Sequence, residues 1–119
     1  MAMGTGFQNL EVWRDAKTLA VDVYQFTHNL RDFGLRDQMR RAAVSVASNI
    51  AEGDERDTDK DSVRFFYMAK GSLAELRTQL EIATDVSLLP SSTTTPLLTC
   101  AATLASRLGA LIKSRSTHV

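Results

Sequence analysis

Ala42-Ala43-Val44-Ser45-Val46-Ala47-Ser48-Asn49-Ile50-Ala51 is a ten-residue stretch without a charge, and the choice between strand and helix here decides the fold class. Its middle, Val44 to Ser48, alternates apolar and polar like a half-buried β-strand. Two features favour helix. The stretch is alanine-rich, and it lies within about 20 residues, Leu35 to Glu52, that hold no proline and no internal glycine, too long for an ordinary strand. Across that span Leu35, Met39, Ala42, Val46, Asn49 and Gly53 recur in steps of three and four, with Ala43 and Ile50 beside them. That is the stripe of a bundle helix. The reading is a helix over 35–53, with Gly53 as the residue just past its C-terminus.

The flanks carry the same periodicity. Upstream, Trp13, Ala16, Ala20, Val23, Thr27 and Leu30 make one face of a helix over 9–30, widened by Val12, Leu19 and Phe26, with Asn9 as its N-cap. Downstream, Thr58 with Asp61 three residues later resembles a capping box opening a helix over 58–88. Its face is Ser62, Phe66, Ala69, Leu73, Leu76, Leu80 and Ala83. Pro90 closes that helix, residues 91–95 form a polar turn, and Pro96 suits the first turn of a last helix over 93–114. Leu97, Ala101, Leu104, Leu108 and Leu111 are its core face. Four long helices joined by short loops predict an all-α, up-down antiparallel four-helix bundle. The 119 residues suffice for one domain, placed at 7–115, with flexible ends at 1–6 and 116–119.

Composition argues against several functions. Fourteen basic residues balance 14 acidic ones, so no global field favours nucleic acid or membrane. No apolar run is read as long enough to span a bilayer, residues 1–6 lack the pattern of a signal peptide, and a cytoplasmic location is expected. The lone Cys100 has no internal disulfide partner and no zinc-binding spacing, and it reads as a small core-edge residue. Neither His28 nor His118 follows a glutamate at the spacing of a di-iron bundle. No nucleophile sits beside a recognisable base, and no glycine loop could cradle phosphate. The chain is read as no enzyme, with no cofactor and no metal.

What remains is surface. At 100° per residue Val44, Ala47 and Ala51 point away from the core face of their helix, as do Met68, Gly71 and Ile82 on the next. A helix that is apolar or small all round is usually covered all round, so these six are candidate contacts in a homo-oligomer. Against this, alanine favours helix and tolerates exposure. Gln38, Ser45, Asn49 and Glu52 form a polar strip beside the core, a candidate structural network that fixes register, or less simply a ligand site. Arg36 and Arg40, with Arg41, are candidate phosphate contacts.

The run Gly34-Leu35-x-x-Gln38-Met39-Arg40-Arg41 continuing through Ala42–Ala51 to Glu52-Gly53 resembles the signature of the 23S rRNA intervening-sequence proteins. Phe7-x-x-Leu10-x-Val12-Trp13, Arg64-Phe65-Phe66 and Gly71-Ser72-Leu73-Ala74-Glu75-Leu76 also match, over about residues 7–89. The resemblance implies a four-helix bundle with no catalytic residue to carry over. The family is similar to the accessory protein of diversity-generating retroelements, a ring of five bundles that works with a reverse transcriptase and RNA. It therefore implies self-assembly, with a pentamer expected, and RNA or a ribonucleoprotein as partner. The alternative is an oligomeric scaffold that binds protein and no nucleic acid.

Overall fold

The computed structural model describes residues 6–117. A 3-10 turn, Gly6–Asn9, leads into four α-helices: α1 (Glu11–Phe26), α2 (Phe33–Asp54), α3 (Asp59–Asp85) and α4 (Ser91–Ser116). Among the described residues there is no strand, and Ala42–Ala51 lies wholly within α2. Successive helices pack antiparallel and α4 closes back on α1, leaving α1/α3 and α2/α4 as the diagonals of an up-down bundle. The interface between α2 and α3 is the most extensive.

The core is a ladder of the expected stripes. Met39, Val46, Ile50, Phe66, Leu73, Leu76, Leu80 and Leu108 are fully buried, and each such side chain contributes roughly 1.5–3 kcal/mol through removal from water. On α3 every residue of the expected face is buried. On α1 the face is rotated slightly. Val12, Ala16, Leu19 and Val23 are buried, Trp13 and Ala20 are only half-buried, and Phe26 is exposed. Ile112, rather than Leu111, ends the buried row on α4.

Helix ends differ from expectation in instructive ways. Asn9 is not the cap of α1; it belongs to the 3-10 turn, and Leu10 precedes the helix without a side-chain cap. Thr58 does cap α3, its hydroxyl accepting from the Asp61 amide at 3.2 Å. Asp32 caps α2 by accepting from the Leu35 amide at 3.0 Å. Gly53 is not past the end of α2 but inside it, and buried. A Cβ there would lie 2.6 and 2.8 Å from ring carbons of Phe66, so its role is the close approach of α3. The α3 C-terminus turns at Ser87, which adopts φ 62°. The Leu88 amide then bonds back to the Ala83 carbonyl at 2.9 Å, a Schellman-type closure usually built on glycine. Helix α4 begins at Ser91, with Pro90 before it, so Pro96 falls within the helix rather than in its first turn.

One expectation about membranes needs correcting. Helix α4 is by length and composition apolar enough to cross a bilayer. Of its leucines, Leu97, Leu104 and Leu108 are buried in the core, and Leu98 and Leu111 are half-buried. Of the ends expected at 1–6 and 116–119, residues 1–5 and 118–119 lie outside the described residues, as does His118. Gly6 itself starts the 3-10 turn, and Ser116 is the last residue of α4.

Candidate functional site

Between the outer face of α2 and α1 lies an open groove of about 550 Å³. From α2 it is lined by Val44, Ala47 and Ala51, three of the residues whose outward direction the sequence singled out. From α1 come Trp13, Ala20, Val21 and Tyr24, which sequence reasoning did not connect with them. Small side chains of α2 thus share the lining with two aromatic rings of α1, and Lys17, Gln25 and Ser48 complete it. Val44 is 43% exposed, Val21 47% and Tyr24 46%, so a continuous apolar strip faces solvent.

The charges along this seam are of one sign. The Lys17 ammonium lies 5.5 Å from the centre of the Trp13 ring, and the Arg40 guanidinium lies 4.5 Å from that of Tyr24. Both are cation–π distances, and they hold the cations at the rim of the groove. Further depressions extend the seam at each end, adding Arg14 on one side and His28 with Arg40 on the other. Only past Ala51, beside Phe7, do the acids Glu52 and Glu55 appear.

The second outward-facing group lies on α3. Met68 and Ile82 are each 47% exposed and Val86 is 58% exposed. Gly71, between them, would meet nothing within 4 Å if it carried a Cβ. The six expected contact residues thus fall on two surfaces, a groove at α1/α2 and a ridge on α3.

The three candidate phosphate contacts are scattered. Arg40 donates from Nε to the Thr27 hydroxyl at 3.1 Å and from Nη2 to the Tyr24 carbonyl at 3.2 Å. It thereby satisfies the C-terminal end of α1, where a cation also complements the helix dipole. Arg36 pairs with Asp37 at 3.1 Å and stacks over Phe33. Arg41 is exposed, about 100° around α2 from Arg40, and makes no ion pair among the described residues.

Part of the polar strip forms the expected network. Ser45 and Ser72 share a hydrogen bond of 2.9 Å between α2 and α3, and the Asn49 amide donates to the Ser45 hydroxyl and carbonyl at 3.0 Å each. Glu52 is turned outward to Arg56, and Gln38 is exposed and outside the network. Further ties were not legible in the sequence: Thr84 with Thr94 at 2.7 Å, Arg115 with Asp54 at 2.9 Å, and Arg107 with Asp15. Each joins residues distant in sequence, and only the pairing of helices reveals it.

Cys100 is exposed rather than at the core edge. It lines a cleft between α1 and α4 with Thr18, Asp22, Thr99 and Arg107. His28 is exposed near the end of α1. Among the described residues no group of histidine, cysteine and carboxylate side chains could hold a metal ion.

Residues 8–110 match the family described as 23S rRNA-intervening sequence protein. No curated protein matches the chain. Among solved structures it is similar to a protein of unknown function from the S23 ribosomal protein family of Bacteroides thetaiotaomicron. That likeness has a TM-score of 0.81 at 19% identity, over 86% of this chain and 98% of the other. At that identity it establishes the fold alone.

Proposed function

The chain belongs to the 23S rRNA-intervening sequence protein family, and from that premise we propose that it is a non-catalytic module that assembles with copies of itself through its outward apolar surfaces. The observation that carries this reading is the groove between α1 and α2. An open, mostly apolar groove of this kind, lined by small side chains of α2 and by Trp13 and Tyr24 of α1, supports an interaction surface. The ring of five that the family resemblance implies is the expected assembly.

Binding of RNA or a ribonucleoprotein is the finer part of the proposal, and it depends on assembly. One subunit presents Arg41 free, Arg36 shared with Asp37 and Arg40 committed to α1. Charge of that kind becomes a phosphate-binding surface only when a symmetric assembly repeats it. A scaffold without nucleic-acid affinity is the alternative, supported by the balanced charge.

The test is light scattering at micromolar concentration. The parent is expected to be an oligomer and Val44→Glu a monomer, because a charge buried at an interface without a partner costs several kcal/mol. Asp22→Lys, on the α1/α4 side, is expected to assemble like the parent. A monomeric parent would overturn the reading.

A further inference from the structure

Away from the α1/α2 groove, and independent of whether the chain assembles, we infer that the cleft between α1 and α4 binds a small aliphatic amine, its ammonium held by Asp22. The cleft has a volume of about 240 Å³, below the roughly 300–1,000 Å³ of sites for drug-sized molecules, so it suits a ligand of a few heavy atoms. Buried Leu19 and Leu104 give it an apolar floor, and Thr18, Thr99 and Thr103 bring hydroxyls to it. The tie between Arg107 and Asp15 sets the register of the two antiparallel helices. Two turns on along α1 and two turns back along α4 place Asp22 opposite Cys100, about 10 Å from that tie.

The two carboxylates of the cleft differ in what neutralises them. Asp15 has Arg107, which also reaches Glu11 at 3.7 Å. Asp22 is partly buried, and its carboxylate makes no ion pair and no hydrogen bond among the described residues. The wall it faces supplies no cation, because α4 carries no charge from Ser91 to Ser106. The residues one turn away on α1, Thr18, Leu19, Gln25 and Phe26, are neutral as well. The Thr18, Thr99 and Thr103 hydroxyls likewise have no partner among the described residues, unlike those of Thr78 and Thr84, which turn back to helix carbonyls. This donor set selects its ligand by chemistry. An ammonium donates to the carboxylate in a charge-assisted bond, about twice as strong as a neutral one, and its other N–H groups reach hydroxyl oxygens. A short alkyl chain covers the leucines. The carboxylate repels anions, and with no aromatic ring in the lining there is no cage for a quaternary ammonium. One unpaired carboxylate beside neutral hydroxyls is a poor set for a divalent cation.

Titration with n-butylamine, protonated at neutral pH, tests the site through amide NMR shifts at constant ionic strength. Saturable shifts in the millimolar range are expected, clustered around Asp22, Thr99 and Thr103. Butan-1-ol keeps the chain without the charge, and tetramethylammonium keeps the charge without N–H donors. Each should bind at least about tenfold more weakly. Asp22→Asn preserves the shape of the side chain and should weaken n-butylamine binding by a similar factor, whereas Asp57→Asn, on the exposed turn between α2 and α3, should leave it unchanged. Thr103→Val, which removes one hydroxyl, should weaken it by a smaller factor. The Asp22 carboxylate has no contact inside the subunit to lose, so Asp22→Asn is expected to fold, with helix content checked by circular dichroism. Equal binding by Asp22→Asn and the parent overturns the site. So does an equal response to tetramethylammonium, or a pattern of shifts that follows exposed carboxylates over the whole surface. A parent that shows no saturable shift overturns it too.

Discussion

Gly53 and Gly71 both lie within helices, yet their surroundings give them opposite consequences. A Cβ at position 53 would press on the buried ring of Phe66. Gly53→Ala should therefore destabilise the fold by about 1–3 kcal/mol, the usual cost of overpacking, read as a lower midpoint in chemical denaturation. Gly71 carries the intrinsic helix penalty of glycine with no contact inside the subunit to offset it. In the monomeric Val44→Glu background, Gly71→Ala should raise stability by up to about 1 kcal/mol. In the parent it should weaken assembly. Gly109 supplies the control, since a Cβ there also meets nothing within 4 Å. Gly109→Ala should stabilise the subunit and leave the assembly unchanged; equal effects of the two changes on assembly would refute a packing role for Gly71.

Among the elements, α3 was the most legible in sequence and α1 the least, for a physical reason. Helix α3 packs against both of its neighbours over most of its length, so its heptad-like stripe is also its buried face. Helix α1 packs more loosely, and which of its apolar residues are covered depends on how it crosses α2. Periodicity alone could not tell Val12, which is buried, from Phe26, which is exposed. The same limit hid the groove. Val44 and Ala47 were visible as an outward apolar face, but Val21 and Tyr24 joined them only through the α1/α2 packing. Arg40 shows the cost of reading charge without partners, because its guanidinium closes the end of α1. Arg40→Met, which keeps much of the apolar stem, should cost about 1.5 kcal/mol, typical of a lost hydrogen bond to a charged group. The loss should be local. Amide exchange should quicken at Thr27 and Leu30, whose amides bond to Val23 and Thr27, and stay unchanged at Leu73 in the core of α3. Uniform acceleration throughout the bundle would mean that Arg40 supports the whole fold rather than one helix end.

At the scale of the whole molecule, the question is whether a protein of zero formal net charge can hold a polyanion. Counterion release scales with the number of phosphates neutralised, and one subunit brings few free cations to any one place. The start of α2 and the end of α4, where Lys113 and Arg115 lie, are at opposite ends of an up-down bundle. Arg115 is moreover paired with Asp54. Arg41, in the first half of α2, and Arg31, just before it, are exposed and make no ion pair among the described residues, and a closed ring would set their copies at one level. RNA binding by the parent should accordingly be salt-sensitive, with a log–log slope of about −0.7 for each phosphate contact on a single strand. Two variants separate the contributions. Val44→Glu, with every arginine in place but no assembly, should lose the salt-sensitive binding. Arg41→Glu should lose it while light scattering shows the parent's assembly mass. Retention of binding by monomeric Val44→Glu would place the RNA contact within a single subunit. The absence of salt-sensitive binding by the parent at low ionic strength would leave the scaffold alone, because repeating a surface multiplies its charge only where each copy has charge to spare.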